Sequence, residues 1–118
     1  HYGNVKPART HSRREGIAIE RAKDYLSANL DRKVSLEDAA RKAGLSRYHF
    51  LRVFKRETGF PPHLFRTLRR VDRARQLLRE GLAPVQTALA VGFSDQSHFS
   101  NTFRKYTGAT PGQYLSES

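Results

Sequence analysis

Two short stretches hold side chains suited to reading a nucleic-acid duplex. In the first, Arg47, Tyr48, Leu51 and Arg52 come early and Lys55 and Arg56 follow. In the second, Gln96, Ser97 and Asn101 come early and Arg104 and Lys105 follow. An arginine can donate two hydrogen bonds to guanine, the amides of glutamine and asparagine match adenine, and apolar groups press on the thymine methyl. The later basic residues suit phosphates, which fix position and not sequence. Arg47, Tyr48, Leu51, Arg52, Gln96, Ser97 and Asn101 are therefore the candidate base contacts. Lys55, Arg56, Arg104 and Lys105 are the candidate phosphate contacts. The bland reading is a solvated charged face. Against it, both stretches repeat the same order of residue types, and Tyr48 and Leu51 are poor choices for a surface that meets only water.

Both stretches belong to a longer repeat. HFLRVFKRETG from His49 to Gly59 returns as HFSNTFRKYTG from His98 to Gly108, with five of eleven positions identical. Pro62 and Pro111 follow each glycine at the same distance, and Phe65 and Tyr114 follow each proline. Gly44-Leu45-Ser46 returns as Gly92-Phe93-Ser94 at an offset of 48, which becomes 49 once Asp95-Gln96-Ser97 replaces Arg47-Tyr48. The matching segments therefore share their bodies and differ in how they begin.

The composition agrees with a polyanionic partner. The chain has 118 residues, enough for one domain or two very small ones. It carries 22 Lys and Arg against 11 Asp and Glu, a formal charge of +11, which favours nucleic acid first and an anionic surface second. There is no cysteine, which removes disulfides, thiolate metal sites and cysteine nucleophiles and agrees with a cytoplasmic location. The histidines at 1, 11, 49, 63 and 98 lack ligand spacing and no carboxylate cluster accompanies them, so no metal or other cofactor is expected. No glycine-rich phosphate loop or Ser-His-Asp arrangement is present, and an enzyme is not expected. No apolar run could cross a bilayer, so no membrane partner is expected. The chain opens on His1 and contains no methionine, and it reads as part of a longer protein with a further N-terminal domain.

The pattern predicts elements that would position these residues. Residues 1–15 lack apolar periodicity and read as a disordered basic tail or linker. Ile19, Ala22, Leu26 and Leu30 mark a helix of about 14 residues. Ser35 caps a second helix whose buried face is Leu36, Ala39, Ala40 and Ala43, Gly44 stops it, and Ser46 caps a third that ends near Thr58. This order is the sequence form of a helix-turn-helix. On a helical wheel Phe50, Val53 and Phe54 lie on the core side, as do Phe99, Phe103 and Tyr106 in the second copy. Pro62 to Glu80 reads as one long helix of roughly 28 Å. Its stripe is Leu64, Leu68, Val71, Ala74 or Arg75, and Leu78, with Arg66, Arg69, Arg70, Arg73 and Arg79 on the other faces. Pro84 opens the second unit and Thr110-Pro111 a terminal helix. The boundaries expected are a first subdomain at 16–60, a linker helix at 61–82 and a second subdomain at 83–118. A rod of that length would hold two readers near one DNA turn of about 34 Å, giving an asymmetric site.

These residues resemble the DNA-binding domain of the AraC/XylS family of bacterial transcription regulators, over about residues 17–115. The most specific part is Ala88, then Gly92-Phe93-Ser94-Asp95-Gln96-Ser97-His98-Phe99-Ser100, Phe103-Arg104-Lys105, Gly108, Thr110-Pro111 and Tyr114. The resemblance implies an all-α fold of about seven helices, with two homeodomain-like helix-turn-helix subdomains joined by a long linker helix. It implies sequence-specific binding of double-stranded promoter DNA by two recognition helices in successive major grooves, and control of transcription, with activation expected but repression left open. RNA polymerase would then be a partner. The fragment would be a monomer, with dimerisation left to the N-terminal domain, in the bacterial cytoplasm at the nucleoid. The family's base-reading positions fall on Tyr48, Leu51, Arg52, Gln96, Ser97 and Asn101. Asn101 stands where the family commonly has arginine, and so does Leu115. The competing expectation is a basic module that binds any nucleic acid or anionic surface by charge alone.

Overall fold

Caps and glycine stops set most of the helix boundaries in the computed structural model, which describes the backbone of residues 5–117 and the side chains of residues 13–115. Seven helices follow in order: α1 (Val5–Ala28), α2 (Leu36–Ala43), α3 (Arg47–Thr58), α4 (Pro62–Arg79), α5 (Pro84–Ala90), α6 (Gln96–Thr107) and α7 (Pro111–Glu117). The described residues contain no strand, so the chain is all-α. They form two compact units.

In the first unit, Ser35 and Ser46 each accept a hydrogen bond from the backbone N–H three residues on, at Asp38 and His49. That satisfies a donor which a helix start leaves open, worth about 1 kcal/mol. The core gathers Ala18, Ile19, Ala22 and Leu26 of α1, Ala39, Ala40 and Ala43 of α2, and Phe50, Val53 and Phe54 of α3. The small residues of α2 let its backbone approach its neighbours closely. Phe54 meets Phe50 at 5.4 Å and takes Phe65 edge-on at 5.3 Å.

The second unit repeats this plan. Val71, Ala74 and Leu78 of α4 pack with Ala88, Val91, Phe93, Phe99 and Phe103. Phe103 meets Phe99 at 5.6 Å and takes Tyr114 edge-on at 5.5 Å. Thr58 and Thr107 end the two matching helices alike: each hydroxyl reaches the carbonyl four residues back, at Phe54 and Phe103, 2.8 Å away in both. The extra residue in the second copy moves the cap. Asp95, not Ser94, accepts from His98 N–H at 2.7 Å. Pro111 starts α7, and Thr110 and Gln113 exchange the two hydrogen bonds of a capping box.

One expectation is corrected. Residues 5–15, read as part of a tail, belong to α1, and residues 1–4 lie outside the described residues. Glu15 fastens the segment to α3. The expected linker helix is α4 (Pro62–Arg79), whose residues up to Phe65 group with the first unit and those from Arg66 with the second. Arg66 and Arg70, on faces of α4 away from its apolar stripe as expected, are half-buried. Arg70 donates to the Leu30 carbonyl through Nε at 3.0 Å and Nη2 at 2.7 Å, and Arg66 donates to the Arg32 carbonyl. These bonds tie residues 30–33, just beyond α1, into the second unit.

Gly44 and Gly92 hold the same place in the two repeats for different reasons. Both have positive φ, 71° and 96°. A Cβ on Gly44 would meet open space, whereas one on Gly92 would lie 2.1 Å from the Leu30 carbonyl oxygen and 2.7 Å from Arg70 Nη2. Gly44→Ala should therefore cost only the left-handed backbone penalty, about 1–2 kcal/mol. Gly92→Ala should cost about 3 kcal/mol or more, because backbone must move as well. Urea denaturation of both variants checks this, and equal losses would contradict it.

A second prediction concerns acid. The hydrogen bond from Arg56 holds the Glu15 carboxyl below its ordinary value of 4.5, with His49 adding to the effect and burial opposing it. A carboxyl lowered in the folded state adds stability that is full above the unfolded value and is lost as the pH falls through the folded one. The stability gap between the native chain and Glu15→Gln should be full above pH 4.5 and close below it, in denaturation series across that range.

Candidate nucleic-acid interface

Burial of two phenylalanines four residues apart sets which side of each repeated helix faces out. Phe50 and Phe54 are fully enclosed, as are Phe99 and Phe103. At 3.6 residues per turn the opposite face is then fixed. On α3 it carries Tyr48, Leu51, Arg52 and Lys55, with Arg47 and Arg56 at its two borders, all exposed. Tyr48 is 78% exposed, a large apolar ring held in water. On α6 the outward face carries Gln96, Ser97, Asn101, Arg104 and Lys105, again all exposed. Within each unit, then, the central residues singled out from sequence, Tyr48, Leu51 and Arg52 on α3 and Ser97, Asn101 and Arg104 on α6, share one exposed face, with the others at its borders.

Their partners differ. Arg47 lies 3.5 Å from Glu37 of α2, an exposed pair worth little. Arg56 is committed to Glu15 and also meets Glu57, so the sequence reading of a residue directed at phosphate missed its ion pairs. Glu15 raises the Arg56 guanidinium above its already high value. Arg52 reaches back along the helix, with a terminal nitrogen 3.3 Å from His49 Nδ1. His49 Nε2 lies 3.0 Å from the other oxygen of Glu15. On α6, Lys105 sits over the Tyr106 ring at 5.3 Å.

Glu15 is a neighbour of the exposed α3 face that sequence reasoning missed. A signal was present: Glu15, Ile19, Ala22 and Leu26 follow the spacing of one helix face, so a carboxylate there had to find partners on the core side. Its side chain is only 12% exposed, unlike the surface pair Lys23–Glu20.

The equivalent histidine of α6 behaves differently. His98 is exposed and meets the Phe93 ring edge-on at 5.2 Å. Leu115, where arginine is frequent in the resembled family, is half-buried against the second core. Among the described residues no cluster of His, Asp and Glu could hold a metal, and no helix is long and apolar enough to cross a membrane.

The comparisons with known proteins agree with this geometry. The model of a helix-turn-helix domain family matches residues 39–117. The multiple antibiotic resistance protein MarA of Escherichia coli is 32% identical over 101 residues, covering 85% of this chain and 80% of MarA. Two longer curated relatives are spanned only to 37% and 27% of their own length. A transcriptional regulator of Chromobacterium violaceum with an AraC-type DNA-binding domain superposes with a TM-score of 0.82 at 34% identity, covering 86% of this chain and 92% of that one. The DNA-binding domain of the global transcriptional factor AdpA, solved with a target DNA, superposes with a TM-score of 0.78 at 25% identity, covering 84% and 90%. Its two capped, glycine-stopped helix-turn-helix units and these relatives together place the chain in the AraC-type helix-turn-helix family, the DNA-binding domains of transcription regulators.

Proposed function

We propose that the chain reads double-stranded promoter DNA through the outward faces of both α3 and α6. The observation that carries this reading is the exposure of Tyr48, Leu51 and Arg52 on one helix and Gln96, Ser97 and Asn101 on the other, each held out by a buried phenylalanine pair. The N-terminal turns of a recognition helix meet base edges, and its later turns meet phosphates. Arg47 borders the first reading face, and Lys55, Arg104 and Lys105 supply backbone attraction, with Arg56 adding to it from within its ion pairs. The units follow one another in a single chain, so the site has two unlike boxes in a fixed order and is not a palindrome. The chain regulates transcription from such sites, as an activator that meets RNA polymerase.

Arg52 and Lys105 should separate base reading from charge. With a duplex recovered from a random pool, Arg52→Ala should cost roughly 1–3 kcal/mol on that duplex and little on unrelated DNA, read by fluorescence anisotropy. Lys105→Ala should weaken all sequences alike and reduce the salt slope by about 1. Equal losses on both duplexes for Arg52→Ala would favour the charge-only module. For activation, a promoter fusion should lose expression with Arg52→Ala, and a rise would mean repression.

A further inference from the structure

We propose that Glu15, acting through His49, is a positioning residue for Arg52. The proposal rests on the reading of Arg52 as a base contact. Hydrogen-bond chemistry gives each atom one role. Arginine has five N–H donors and no acceptor, so His49 Nδ1, 3.3 Å from the Arg52 terminal nitrogen, must present its lone pair. The Glu15 carboxylate accepts, so Nε2, 3.0 Å from it, must carry the proton. With these partners Nε2 is the ring's donor and Nδ1 its acceptor. A histidine orients its neighbours in this way at metal sites and in catalytic triads, where the group on one nitrogen decides what the other can do.

The anchor is firm and the outer end is free to read. Glu15 is largely shielded and its other oxygen accepts from Arg56, so both oxygens are occupied by α3. Arg52 spends one N–H on the ring and keeps the rest for a base. Holding a long side chain near its bound rotamer reduces the freedom lost on binding. The device belongs to the first unit alone. His98 turns its ring to Phe93, and the residue three places on is Asn101, too short to copy Arg52.

The test is a mutant cycle read as discrimination. Affinity is measured on the duplex recovered from the random pool and on every single-pair variant of it, and the pair read by Arg52 is the one at which Arg52→Ala loses discrimination. His49→Leu should lower the discrimination at that pair about fivefold, leave the other pairs unchanged, and add nothing in the Arg52→Ala background. His49→Gln keeps one donor and one acceptor and should restore discrimination to within about twofold. Glu15→Gln should fall between them, since its amide can still accept from Nε2–H. Equal loss at all pairs for His49→Leu, or no rescue by His49→Gln when both variants melt like the native chain, would overturn the proposal. No effect of Arg52→Ala at any pair would instead overturn the base reading itself, and the positioning role with it.

Discussion

The burial of a phenylalanine pair on each repeated helix is the constraint on which the rest depends. Phe50 with Phe54, and Phe99 with Phe103, fix the rotation of α3 and α6 about their axes. Burying one such ring contributes roughly 1.5–3 kcal/mol, more than any cap or surface ion pair in the chain. Rotation by one residue would turn about 100° of helix and exchange reading side chains for core ones. The glycine stops, serine and aspartate caps and threonine C-terminal bonds then settle where each helix begins and ends. Phe65 and Tyr114 close the same side of the ring pair in both units, at centroid distances of 5.3 and 5.5 Å.

Against that shared frame the two units have diverged where they meet solvent. The first presents Tyr48, Leu51 and Arg52, an arginine braced by a histidine and a shielded carboxylate. The second presents Gln96, Ser97 and Asn101, shorter and without charge in its opening turns. Its cap has moved to Asp95, one residue further from the glycine, which shifts the starting point of α6 relative to its turn. A common core with unlike faces is what two different half-sites would require.

Much of this was legible in the residues. Periodicity, caps, prolines and glycines are local signals, and they located α2, α3, α4, α5, α6 and α7 because each obeys rules written within a few positions. The helical start of α1 was not legible. Residues 5–15 have no apolar stripe, and what fastens Glu15 lies 34 and 41 positions away at His49 and Arg56. The partners of Arg66 and Arg70 were hidden for the same reason. Their acceptors are carbonyls of residues 30–33, which a wheel drawn on α4 alone cannot show. Likewise, Gly92 looks like Gly44 in sequence, and only the Leu30 carbonyl beside it reveals the tighter requirement. The outward faces were legible as sets, but Arg56 as an ion-pair partner was not.

Both outward faces, as proposed, read one duplex in a fixed order. Selection of bound fragments from random DNA by this chain tests it most directly. The result predicted is an asymmetric motif with two short, different boxes about ten base pairs apart, centre to centre. A single box, a palindrome, or no enrichment over the starting pool would contradict it.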